Sequence, residues 1–235
     1  FVPRRGSLPE YALGTPDPFY DIQAPHFRRL LHDLAAAGWE VGLHASYRAY
    51  ERPDGIAAER ALLEAAAGTT VIGNRHHYYH MHPGNPEATL LAHERAGLLY
   101  DSSLTHDRYL GWRRGSSWPY LPFHHGERRA LRTLQLPTGW MDAHVFLRCA
   151  ENPGERDALL RDLADRAIDQ GGLMLIDIHD YVYDDALFPD WRATYSRLFS
   201  YLGARGDVWL ARPCDIATHW INRQAAIERA SEGLS

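Results

Sequence analysis

The chain has 235 residues, 45% hydrophobic and 23% charged, which is enough for one large core or two small ones, and an α/β barrel of this length is ordinary. Its formal charge of −5 is spread over mixed acids and arginines without a basic block or stripe, which argues against nucleic acid as a partner. No apolar run approaches the ~18 residues of a membrane span, and no secretory leader pattern opens the chain. Cys149 and Cys214 lie far apart and in no metal-type spacing, so the sequence reads as a soluble protein of the cytoplasm without a disulfide framework.

Phe1-Val2 reads as the end of an apolar strand, with Pro3-Arg-Arg-Gly6 as its exit. Residues 7–24 carry several Pro and Gly without a period and are expected to form a long loop. A regular alternation follows. Helix 25–37 ends at Gly38, strand 39–45 follows, helix 54–67 ends at Gly68, and strand 69–75 follows. Asn85 and Pro86 open a helix to Ala96 that Gly97 ends, and residues 98–103 form the next strand. Residues 104–131 break the rhythm with Trp112, Trp118, Tyr120 and Phe123 among arginines and prolines, an aromatic loop that reads either as a substrate wall or as a cap on the core. Strand 134–137, helix 154–170, strand 172–179, helix 190–202, strand 207–211 and an amphipathic helix from Pro213 to about Ala230 complete the chain. Apolar strands alternating with single helices predict a parallel sheet with helices outside, in one domain over residues 1–235.

In such barrels the chemistry sits at the carboxyl ends of the strands. His44, Arg75, His77, Asp101, Asp142 and His179 all fall at or just past predicted ends. Neighbouring parallel strands lie about 4.8 Å apart, so His44 and His77 can converge on one metal ion. Two imidazoles and a carboxylate with an open position for water suit zinc, which lowers the pKa of bound water. His179 is the candidate acid for a leaving group. Asp177, two residues earlier in the strand, points to the same face. The run His76, His77, His80, His82 is either a metal-rich loop or a polar one.

Glu40-Val-Gly-Leu-His-Ala-Ser-Tyr47, Gly73-Asn-Arg-His-His-Tyr78, Tyr100-Asp-Ser-Ser-Leu104, Gly111-Trp-Arg-Arg-Gly115, Leu136-Pro-Thr-Gly-Trp-Met-Asp142 and Ile178-His179 come in the order seen in polysaccharide deacetylases of the NodB-homology type. The chain most resembles the branch with a Glu-Ile-Gly-Leu-His-x-Ser-Tyr segment followed by Arg-Gln-His-Tyr. The resemblance implies a distorted (β/α)7–8 barrel and metal-dependent hydrolysis of an N-acetyl or similar acyl group on a carbohydrate or sugar-containing metabolite. It matches His44 to the first histidine of a His-x-x-x-His metal motif, whose second position is here Arg48, and leaves His77 as the substitute ligand. Arg75 matches the arginine that orients a carboxylate or polarises substrate, and His179 the catalytic acid. Tyr47, Tyr78, Trp112, Arg113, Asp142 and Asp177 would line the substrate.

The family's first strand, with its metal-binding and base aspartates, has no counterpart in these residues. A barrel lacking that strand would expose two edges and much apolar surface, so the expectation is that the numbered chain omits it; otherwise Asp21, Asp142 or Asp177 must stand in. Two other readings stay open, a non-catalytic carbohydrate-binding protein and a metal-independent hydrolase of a cyclic amide or ureide.

Overall fold

The computed structural model describes residues 1–52, 54–106, 109–149 and 152–232, leaving aside the side chains of residues 148, 149 and 232. In chain order its main elements are α1 (Leu8–Ala12), α2 (Pro25–Ala36), α3 (Gly55–Ala67), β1 (Gly73–Asn74), α4 (Pro86–Arg95), β2 (Tyr100–Asp101), β3 (Phe123–His124), β4 (Arg129–Ala130), β5 (Leu134–Gln135), β6 (Thr138–Met141), α5 (Asp142–His144), α6 (Pro153–Asp169), β7 (Leu175–Asp177), α7 (Trp191–Gly203) and α8 (Pro213–Glu232). They group into two compact units. The first comprises Phe1–Ser103, Tyr120–Gln135 and the chain from Arg212 onward; the second comprises Leu104–Pro119 and Leu136–Ala211. No described helix is long and apolar enough to cross a membrane.

The first unit is organised by a parallel ladder. Phe1 N–H donates to Gly42 O and His44 N–H to Phe1 O, so Phe1 lies alongside residues 42–44, a pairing the sequence does not indicate. On the other side Leu43 N–H donates to Gly73 O and Arg75 N–H to Leu43 O, each at 2.9 Å, and Leu43 pairs with Asn74. β1 then pairs with β2 in the register Asn74↔Asp101, and β2 with β5 in the register Asp101↔Gln135. Val41, Leu43 and Ala45 are buried and pack with Leu31 of α2 and Ile56, Leu63, Ala66 and Ala67 of α3. Strand alternation turns His44 to the opposite face. A one-residue slip would expose these three side chains, at roughly 1.5–3 kcal/mol for a leucine alone; the core therefore sets where His44 points.

The helix ends follow the sequence signals. Asn85 caps α4 by accepting from Ala88 N–H at 3.3 Å, and Pro86 takes its first turn. α1 lies inside the stretch predicted as loop: Ser7 and Glu10, at the spacing of a capping box, bond to one another and start a helix that the Pro/Gly content obscured. β3 and β4 form an antiparallel hairpin inside the predicted aromatic loop.

The second unit is centred on β6 and β7, which pair in parallel with a bulge between Thr138 and Trp140. Trp140, Phe146, Leu160, Leu163, Trp191, Tyr195, Leu198 and Leu202 form its core, with Phe146 stacked on Trp191 at 4.0 Å between ring centres. β6 lies just past the predicted strand 134–137, and β7 is narrower than the predicted 172–179. The strand predicted at 207–211 does not form: these residues join no ladder, and Trp209 and Leu210 stand 57% and 55% exposed. An apolar run becomes a strand only where it pairs with a neighbouring backbone edge, and residues 207–211 belong to none of the sheets among the described residues. The fold is mixed α/β with small sheets, and none of the ladders among the described residues closes on itself.

One close approach holds the first ladder together. A Cβ on Gly73 would lie 2.1 Å from the ring of Tyr100, whose hydroxyl donates to Glu40 at 2.7 Å. Gly73→Ala is expected to destabilise the protein by about 1–3 kcal/mol through overpacking. Urea unfolding would show this as a lowered midpoint at constant m-value; an unchanged midpoint would contradict the close packing.

Candidate functional site

The parallel register of the first unit brings His44 and His77 together, their ring centres 5.1 Å apart at 63°. The Nδ1–H of His44 donates to the carbonyl of Arg75 at 2.7 Å. The Nδ1–H of His77 donates to Asp17 Oδ1 at 3.0 Å. A carbonyl and a carboxylate can only accept, so both neutral rings carry their lone pair on Nε2. This is how metal-binding imidazoles are usually prepared, with the other ring nitrogen tied to a carbonyl or carboxylate. Two imidazoles on one tetrahedral zinc, with Zn–N of about 2.0–2.1 Å, would place their ring centres about 5 Å apart, a separation that the pair matches. Among the described residues no group of three or more His, Cys, Asp or Glu side chains stands ready-made for a metal.

Asp17 escaped the sequence reading. It is buried, accepts from Tyr47 N–H at 2.8 Å as well as from His77, and its Oδ2 accepts no hydrogen bond from the described residues, the Arg4 guanidinium standing 3.8 Å away. Its only advance signal is a proline on either side, at Pro16 and Pro18, which stiffens an otherwise featureless loop. Asp21, one of the predicted stand-ins, is exposed and accepts from Gln23 N–H in the turn before α2.

Tyr47 and Tyr78 flank the pair. Tyr78 meets His77 edge-on at 4.9 Å and Tyr47 edge-on at 6.0 Å. Tyr47 stacks on His80 at 3.8 Å, and the ring N–H of His80 donates to the Tyr47 carbonyl. Tyr78 and Tyr79 both have left-handed backbones, φ +56° and +53°, at a cost of order 1–3 kcal/mol each. Tyr78 is nonetheless 68% exposed, so burial of its ring does not offset that cost.

Behind the pair lies a wholly buried polar cluster: Asn74, His76, His93, Asp101 and Ser103. His76 and His93 face each other through Nε2 at 2.8 Å, and Asp101 Oδ1 accepts from Asn74 and Ser103, both at 2.7 Å. His93 was missed in the sequence, although it sits three residues past the buried Leu90 on the inner face of α4. Burial pushes the pKa of His76 down to about 3, helped by His93, and lowers that of His93 against the pull of Asp101. Burial alone would raise Asp101, but the two imidazoles and the Ser103 donors outweigh it and hold the carboxyl below its ordinary value.

A folded-state histidine pKa below the unfolded value near 6.5 means that the unfolded chain binds more protons. Stability is then complete above about pH 6.5 and is lost as pH falls toward the folded values. The urea midpoint is expected to drop between pH 7 and pH 5, and to drop less in His93→Gln; equal pH dependence in the two proteins would contradict this.

In the second unit, Asp142 is buried at the end of β6 and accepts from both the backbone N–H of His179 at 2.8 Å and its Nδ1–H at 2.9 Å. These two bonds fix the orientation of the His179 ring, and in its neutral form they put the lone pair on Nε2. Asp142 is thus the partner of His179, a pairing the sequence does not announce, since 37 residues separate them. Asp177 ends β7 and is half-buried. Trp112 and Trp118 use their indole N–H groups on Leu173 O and Gln170 O, and Arg113 donates to Thr105 O at 3.3 Å. The two indole bonds pin the aromatic loop to the segment that leads into β7, and the arginine bond closes the loop on itself.

A solved structure from Mycobacterium smegmatis, described as a "putative polysaccharide deacetylase", shares this architecture, with a TM-score of 0.64 and 21% identity over 91% of this chain and 74% of the other. The likeness is one of fold. No family model and no curated protein matches the chain.

Proposed function

We propose that the chain is a metal-dependent hydrolase that removes an N-acetyl or similar acyl group from a carbohydrate or sugar-containing metabolite. The observation that carries this reading is the His44–His77 pair, its ring centres 5.1 Å apart and each ring tied through Nδ1 to an acceptor, which in the neutral rings puts the lone pair on Nε2. The shared fold with the Mycobacterium smegmatis structure and the order of the sequence motifs support it.

A bound divalent ion, zinc by its fit to imidazole ligands, would supply Lewis-acid polarisation of the acyl oxygen and a water of lowered pKa. The remaining tasks fall to the chain's own groups. Asp17 holds His77 in one tautomer and orientation, and the Arg75 carbonyl does the same for His44. His179, oriented by Asp142, delivers a proton from Nε2 to the departing amine. The side chain of Arg75, which donates from Nε to Ser102 Oγ at 3.1 Å, is assigned to polarising substrate. Tyr47, Tyr78, Trp112, Arg113 and Asp177 are assigned to substrate contact, with aromatic faces suited to the C–H faces of sugar rings.

Elemental analysis of the zinc-supplied protein tests this. About one ion per chain is expected in the parent and in His179→Ala, and almost none in His44→Ala/His77→Ala. His179→Ala should release acetate from N-acetylated sugars roughly 10²- to 10⁴-fold more slowly than the parent, as for loss of a general acid. No ion in the parent, or full occupancy in the double variant, would overturn the metal site.

A further inference from the structure

We propose that Asp101 is the positioning residue of the two-histidine site, holding the backbones beside His44 and His77 in one arrangement through two hydrogen-bonded arms; the inference rests on the reading of that pair as a cation site. The arms meet on a single carboxylate oxygen. Asp101 Oδ1 accepts from Asn74 Nδ2–H at 2.7 Å, and Asn74 Oδ1 accepts from the backbone N–H of Ala45, the residue after His44, at 3.4 Å. The same Oδ1 accepts from the hydroxyl of Ser103 at 2.7 Å, and that hydroxyl oxygen accepts from the backbone N–H of His76, the residue before His77, at 2.9 Å. Asp101 Oδ2 takes the N–H of Ser103 itself at 3.1 Å.

The polarity of both arms is dictated. A carboxylate only accepts, so Asn74 must present its amide nitrogen to Asp101 and its oxygen to Ala45, and Ser103 must spend its one proton on Asp101 and offer a lone pair to His76. Neither arm can reverse, and each ends on a residue adjacent to a histidine. Asp101, Asn74 and Ser103 are all buried, so water does not compete, and hydrogen bonds to a charged acceptor are the stronger kind. The backbone bonds between these segments run from Leu43 N–H on Gly73 O to His77 N–H on Ala45 O, each at 2.9 Å. The arms add a side-chain brace to the same segment ends, on the N–H groups of Ala45 and His76.

Ser103→Ala cuts the arm to His76 while leaving the ladder intact, and Ser103→Thr keeps the hydroxyl. Two readouts are compared with the parent: ring ¹⁵N shifts of the histidines in the metal-free chain, and cobalt titration. In folded Ser103→Ala the ring nitrogens of His77 are expected to move toward tautomer-averaged values while those of His179 stay in place, and the cobalt Kd is expected to weaken by about 10- to 100-fold, the usual range for lost support around a ligand. Ser103→Thr should restore both. Parent-like His77 shifts and affinity in folded Ser103→Ala would overturn the proposal. If Ser103→Ala does not fold, Asp101→Asn is read in the same way; failure of both to fold would make the cluster a folding element and also overturn it. Absence of cobalt binding by the parent would sink the metal reading, and the ring shifts would still decide the positioning role.

Discussion

Everything at the histidine pair depends on the parallel register in which Leu43 meets Asn74. That register is chosen by packing, because Val41, Leu43 and Ala45 must all face the helices of the first unit. With the odd positions committed to the core, His44 is committed to the other face, and the ladder bonds from Leu43 to Gly73 and Arg75 bring the carbonyl of Arg75 to the ring of His44. Hydrophobic burial thus acts on the histidine pair indirectly: by fixing the register, the apolar side chains decide which acceptor meets Nδ1 of His44.

The polar cluster behind the pair carries the opposite balance. A buried carboxylate without hydrogen bonds would cost several kcal/mol or would simply protonate. Asp101 avoids this with donors from Asn74 and from both the hydroxyl and N–H of Ser103. His76 and His93 satisfy each other through Nε2, and among the described residues Nδ1 of each ring has no hydrogen-bond partner. Such a cluster adds little net stability, but it tolerates few geometries, and the strand ends above it inherit that rigidity. The left-handed backbones of Tyr78 and Tyr79 belong to the same picture, since strain of this kind persists where the surroundings over-determine the chain.

The second unit repeats the logic with other parts. Trp140 on β6 is sealed into the core against Tyr195, and the next positions of the strand carry Asp142 to its carboxyl end, where it receives His179 from just beyond β7. In both units a histidine lies just past a strand end with its Nδ1–H given to an acceptor supplied by a neighbouring strand or loop.

Local pattern was enough to establish that helices alternate with strands, where glycine and proline stop or start them, and that His44, His77 and His179 lie just past strand ends, because periodicity, caps and turn residues are properties of short windows. It was not enough for the partners. Asp17 reaches His77 across 60 residues and Asp142 reaches His179 across 37; nothing in a loop aspartate between two prolines says which imidazole it will meet. The failed strand at 207–211 and the hairpin hidden at 123–130 share that cause, since pairing needs an edge that only the folded chain provides. Sequence by itself determined which residue types stand at the strand ends; tertiary structure alone decided which acceptors face them, because tautomer, orientation and burial are set by contacts between segments distant in the chain.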